Sequence, residues 1–302
     1  LMQGGRVMML IDKLQASMDS ASNEFNYAFP YELNLDDQLF NYGVRINNNL
    51  VQDQSASPYP IITGNMGGQP QIQLIEWPFF PILNRFGDHP ATRNLNAVLG
   101  RFVSTIDTVK ADGVKKTPML FTSGYSRAVT APVKVSIQDL RQNLTPDKLN
   151  QQNLPVAYLL EGTFPSLYAN RFKPKGVDES NFMPLADDRA KILLIADGDM
   201  IRNDINPRSG APQALGYDPI TQQNFGNEDL LLNALNYLIE ESGLITARNK
   251  EIAIRPLDEV KVAEESITWQ MINLVLPVLA IILFGVIRHY WRKRKYTGFR
   301  SS

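Results

Sequence analysis

Residues 271–287, MINLVLPVLAIILFGVI, constrain this chain more than any other part of it. The run holds no charged side chain, and Asn273 is its one strongly polar residue. At the α-helical rise it covers roughly 25 Å. Residues 267–270 add about one turn, which brings it near the ~30 Å of a bilayer's hydrocarbon core. Trp269 stands at one end, and Tyr290 and Trp291 at the other, where interfacial aromatics belong. Pro277 would break a soluble helix but is tolerated in a membrane helix, where neighbours satisfy the freed carbonyl. Arg288, Arg292, Lys293, Arg294 and Lys295 follow at once. Positive residues stay on the cytoplasmic side, so the tail is expected there and the preceding domain outside.

The expected division is therefore an extracytoplasmic domain over residues 1–254, a charged stalk over 255–266, a membrane helix over 267–287 and a basic cytoplasmic tail over 288–302. Leu1 leads almost directly into an apolar run at residues 7–11. A chain that opens on a core strand is expected to be N-terminally incomplete, with a further segment upstream.

The chain's 302 residues, 44% of them hydrophobic, suffice for one large domain or two modest ones. Lys and Arg number 30 against 31 Asp and Glu, which gives no electrostatic reason to propose a nucleic acid partner. The absence of cysteine removes disulfides, thiolate zinc sites and cysteine nucleophiles. Only His89 and His289 are available for histidine chemistry.

Short apolar runs at residues 7–11, 71–75, 118–121, 156–160 and 191–196 read as strands. The last, KILLIA, is continuous, as in a strand covered on both faces. Helical patterns occupy residues 34–43 and 227–243. The second has Asn227 as a candidate cap, Glu228 and Asp229 in its first turn, and Gly243 as its stop. Strands alternating with helices predict an α/β fold built on a mainly parallel sheet. The stretches 47–71 and 203–227, rich in Asn, Gln, Pro and Gly, read as long loop excursions.

Motifs of catalysis are missing. There is no G-x-x-x-x-G-K-[ST] loop, no G-x-G-x-x-G after a strand and no G-x-S-x-G elbow. The glycine-rich residues 64–68 lack the lysine and the strand-to-helix setting of a phosphate loop, and read as a flexible loop. His89 reads as a polar loop residue, and residues 77–81 (WPFFP) as a contact surface, a packed core segment or a rigid loop. The candidate chemistry lies in Asp12, Asp197 and Asp199, each directly after an apolar run. Ligands bind beyond the carboxyl ends of parallel strands, so a D-x-D there is a weak candidate for a divalent metal. The alternative is that short polar residues and Gly198 turn the chain out of the strand.

The order of several segments resembles a known family. They are LNLDDQLFNYGVRIN at residues 33–47, LVQD at 50–53, HPATRNL at 89–95, TSGYSR at 122–127 and APV at 131–133. ADGD at 196–199, LGY at 215–217, FGNEDLLLNALNY at 225–237 and the terminal helix complete the series. Together they resemble the GldG family, the auxiliary membrane subunits of gliding-associated ABC transporters in Bacteroidetes. The resemblance implies an extracytoplasmic domain related in fold to glutamine-amidotransferase-like and flavodoxin-like proteins. The glutamine-amidotransferase-like relatives use a catalytic cysteine, which this chain lacks, so no catalytic residue, cofactor or metal is carried over. It also implies a multi-pass permease and a cytoplasmic ATPase as partners in a bacterial inner membrane, and an N-terminal membrane segment.

The expected function is that of a non-enzymatic accessory subunit. A membrane-tethered periplasmic enzyme using Asp12, Asp197 and Asp199, and a solute-capturing lobe with a cleft of mixed polarity, are the alternatives.

Overall fold

The computed structural model describes residues 1–18, 26–66, 69–137, 146–173, 182–240 and 259–297. The chain forms two compact units, Leu1–Lys250 and Glu251–Ser302. Strands β1 (Arg6–Leu10), β2 (Tyr27–Ala28), β3 (Val44–Ile46), β4 (Asn49–Asp53), β5 (Ala56–Met66) and β6 (Gln69–Leu83) come first. They are followed by β7 (Arg85–Phe86), β8 (Val98–Leu99), β9 (Ile106–Thr108), β10 (Val114–Phe121) and β11 (Ser126–Thr130). The last are β12 (Val133–Lys134), β13 (Pro155–Gly162), β14 (Lys191–Ile195), β15 (Tyr217–Asp218) and β16 (Gln223–Asn224). The α-helices are α1 (Asp36–Asn41), α2 (Asn227–Ile239) and α3 (Glu259–Thr297).

The central sheet has the order β1-β14-β13-β10-β7. Its register pairs Met8 with Leu193 and Leu159 with Leu193 on the two sides of β14. Alternate side chains of β14 enter two different cores, which is why its sequence is apolar without a break. Leu193 and Ile195 join Leu159 and Met119, under Leu230, Leu231, Ala234 and Leu238 of α2. Ile192 and Leu194 join Tyr158 and Leu160 on the other face, with Leu39 and Tyr42 of the α1 region.

The expectation of a mainly parallel, flavodoxin-like sheet is corrected here. Among the described residues β1–β14 is the one parallel pair, and every other strand pair is antiparallel. A continuous apolar run reports burial on both faces but carries no information about strand direction. Antiparallel neighbours need no helical crossover, and helices are correspondingly few in this domain.

The stretch read as a loop at residues 47–71 holds β4, β5 and the start of β6. Strands β5 and β6 make a long antiparallel hairpin, interrupted by register shifts between Ala56 and Pro58 and between Ile62 and Gly64. Its prolines (Pro58, Pro60, Pro70, Pro78 and Pro81) argue against a strand in sequence, since each withholds a ladder donor. The base of the hairpin buries Trp77, Phe79 and Phe80 in a third core with Phe102 and Leu50. Its outer half pairs Ile62 with Ile72 and Pro60 with Leu74. Ile62, Ile72 and Leu74 are exposed there. No acidic or basic side chain occurs from residue 54 to residue 75.

Helix α2 begins after Gly226, whose missing side chain leaves room for the Asn96 carbonyl. A Cβ there would lie 2.7 Å from that oxygen. Glu228 and Asp229 occupy the first turn, where the helix dipole favours them. The expected stop at Gly243 lies outside the described residues.

In the second unit, α3 is one unbroken helix with Pro277 inside it. Trp269–Arg294 is long and apolar enough to cross a membrane, with a mean hydropathy of 2.4 and no part of its apolar window buried. Trp269, Asn273, Pro277, Arg288, Tyr290, Trp291, Arg292, Lys293 and Arg294 lie on it with exposed surfaces, and Lys295 continues it. Residues 255–258 of the expected stalk and 298–302 of the expected tail lie outside the described residues.

Candidate functional site

Strands β1 and β14 run in parallel, so their carboxyl ends fall side by side and bring Asp12, Asp197 and Asp199 to one place. Each carboxylate is engaged. Asp12 Oδ1 accepts the Gly198 N–H at 2.7 Å. Gly198 is required for this approach, since a Cβ there would sit 2.7 Å from Asp12 Oδ2. Asp197 is fully buried and accepts two backbone N–H groups, from Arg101 at 2.8 Å on Oδ2 and from Met200 at 3.1 Å on Oδ1. Burial pushes its pKa up to about 8, against the lowering effect of the Arg101 N–H, and Asp12 and Asp199 raise it further. Asp199 is also raised, chiefly by burial, although Arg202 opposes this. It pairs with Arg202 Nη1 at 2.7 Å. Among the described residues no group of three His, Cys, Asp or Glu side chains is arranged to hold a metal ion.

Beside these acids a cleft of about 410 Å3 opens between the β14 end and the base of the β5–β6 hairpin. Arg101 crosses it to Asp204 in a two-pronged pair, with Nη1 to Oδ1 at 3.0 Å and Nη2 to Oδ2 at 2.5 Å. Burial works against the Arg101 charge, but the Asp204 hydrogen bonds outweigh it and hold the guanidinium above its ordinary pKa. The same bonds hold the Asp204 carboxyl below the usual carboxylate range. Arg101 also lies 5.6 Å above the Phe80 ring. Phe102 closes the apolar wall, packed edge-on to Phe80 at 5.3 Å. It adopts a left-handed backbone with φ 52°, a strained conformation for a bulky residue and one that recurs at functional sites.

Asn227 locks this region to α2. Its side chain accepts the Leu99 N–H and donates to the Leu99 carbonyl, both at 2.9 Å, and so behaves as a neighbouring strand would. The sequence suggests a helix cap at Asn227; the cap position belongs to Gly226, and Asn227 makes this tertiary clamp instead. His89 lies in a loop, as read from the sequence, and is buried there. Its Nδ1 accepts the Ala91 N–H at 3.2 Å, and its ring meets Tyr237 edge-on at 4.4 Å. Tyr237 donates to Glu161 at 2.7 Å.

Sequence reasoning finds the strand-end acids and singles out the aromatic run that contains Phe80, but not Arg101, Arg202, Asp204, Tyr59 or Phe102. The i,i+3 spacing of Asp199 and Arg202 is legible in the chain. The Arg101–Asp204 pair, made across distant segments, is not.

A domain of mostly antiparallel sheet with few helices and a lined cleft, together with a separate helix long and apolar enough to cross a membrane, fits a membrane-anchored protein. The model of the family described as an ABC-type uncharacterized transport system matches residues 1–234, and the chain belongs to this transport auxiliary family. Membership implies a permease and an ATPase as partners in general terms. No curated protein and no solved structure shows significant similarity to the chain.

Proposed function

We propose that this chain is the non-enzymatic auxiliary subunit of an ABC-type complex of the gliding-associated GldG kind. Helix α3 packs on a multi-pass permease in the inner membrane, the domain lies on the periplasmic side, and the basic tail lies in the cytoplasm near the ATPase. The observation that carries this reading is the family match over residues 1–234 joined to a membrane-length helix that is unburied along its apolar window. The basic cluster Arg288, Arg292, Lys293, Arg294 and Lys295 supports the orientation. Asn273 is a polar group in an apolar helix, and a hydrogen bond to a neighbouring helix would contribute roughly 0.6–2 kcal/mol.

The engagement of Asp12, Asp197 and Asp199 with backbone N–H groups and Arg202 supports a structural use of these acids over the metal-assisted enzyme. Titration with Mg2+ or Ca2+ is expected to release no heat. Heat that disappears in Asp12→Asn would favour the enzyme.

Two experiments test the assembly. Purification in mild detergent is expected to retain permease and ATPase, and recovery of the chain alone counts against the proposal. The chain has no cysteine, so single cysteines report sidedness cleanly. Lys110→Cys is expected to react with an impermeant maleimide on spheroplasts and Thr297→Cys is not. The reverse pattern overturns the orientation.

A further inference from the structure

From the lining of the cleft beside β14 we infer that it is a binding site for a neutral saccharide. The first argument is charge. The two guanidinium groups of the cleft are each answered by a carboxylate, Arg101 by Asp204 and Arg202 by Asp199. An anionic ligand would have to break a pair to gain a cation, and a cationic ligand would meet a guanidinium beside Asp199 and Asp204, while the third carboxylate of the lining, Asp218, is taken up by Ser57, Thr221 and the Ile220 N–H. A neutral polyhydroxylated molecule needs neither. Each pair presents N–H donors next to carboxylate acceptors, which suits adjacent hydroxyls that both donate and accept.

The second argument is the aromatic part of the lining. Tyr59 offers the cleft a half-buried ring, backed by the buried Phe80 and Phe102. Aromatic surface takes up the apolar C–H side of a sugar ring while its hydroxyls face the ion pairs. The third is size, since about 410 Å3 lies within the ~300–1,000 Å3 range of small-ligand clefts. The fourth is an unspent polar atom. Gln213 borders the cleft and its Oε1 is buried with no hydrogen-bond partner among the described residues. A ligand hydroxyl would satisfy it once the Gln213 side chain turned its amide toward the cleft. Phe102 adds backbone strain at this wall, in a segment where Asn227 clamps the preceding strand.

This inference rests on the site and not on the proposed assembly, so either can fail alone. The test uses the full chain in a detergent without a sugar headgroup, with saturation-transfer NMR and calorimetry. The probes are maltose, cellobiose and N,N′-diacetylchitobiose, with inorganic phosphate as the anionic control. At least one disaccharide is expected to bind with an affinity unchanged by added salt. Tyr59→Ala at the aromatic wall and Arg202→Gln at the rim are each expected to weaken it about tenfold. Circular dichroism and the unfolding midpoint confirm that both variants remain folded. If no disaccharide binds to the folded protein, the inference is wrong. Binding of phosphate in place of the sugars also overturns it, as does sugar binding that both folded variants retain in full.

Discussion

Asn227 shows how one side chain can take the place of a strand. Asn227→Ala leaves the N–H and C=O of the buried Leu99 unpaired, at about 1–3 kcal/mol for each group. Chemical unfolding of the full chain in detergent measures the loss. Asp197 gives a pH dependence of defined sign. Its folded pKa of about 8 lies above the 3.8 of an ordinary Asp, so the folded state binds the proton more tightly. Its contribution is therefore present in full below the unfolded value and declines as pH rises from about 4 to 8. The limiting slope for one proton is about 1.4 kcal/mol per pH unit. Asp197→Asn is expected to flatten this part of the stability profile. It also costs about 1–3 kcal/mol, since an amide has one acceptor where the structure uses two. Parallel stability profiles for the two proteins would remove the assignment. The positions of Asp12 and Asp197 were legible, because an acid after an apolar run marks a strand end. Their hydrogen bonds were not, because the partners are backbone groups of Gly198, Arg101 and Met200, and backbone leaves no trace in sequence.

The elements divide into those whose pattern survives folding and those that break it. Strand β14, β13 and both domain helices were visible from apolar runs and 3.6-residue spacing. Leu193→Ala, between the sheet and α2, is expected to cost about 2–5 kcal/mol in the same unfolding measurement. Hairpin β5–β6 was hidden by its prolines and its glycine, residues that sequence reasoning assigns to loops. Here the ladder tolerates them by bulging. Sheet direction was also illegible, since pairing is decided by segments far apart in the chain. On the hairpin, Ile62→Lys faces solvent and is expected to change stability by no more than about 0.5 kcal/mol. A larger loss would mean that Ile62 packs against something within the domain.

Across the whole chain, two surfaces of opposite character are built in. Near the C-terminus Arg288, Arg292, Lys293 and Arg294 crowd together on α3, while the outer half of the β5–β6 hairpin displays Ile62, Ile72 and Leu74 within a stretch, residues 54–75, that holds no charged side chain. The two differ in their response to ionic strength. Attraction through exposed basic residues is screened beyond about 10 Å at 0.1 M salt and about 3 Å at 1 M. Contact through uncharged side chains is indifferent to screening, and strongly excluded salts such as sulfate reinforce it. A salt series on the purified complex therefore separates them. Attraction through the basic residues is expected to weaken as chloride rises, whereas self-association through the hairpin, if a salt series shows any, is expected to persist and to be lost in Ile72→Lys.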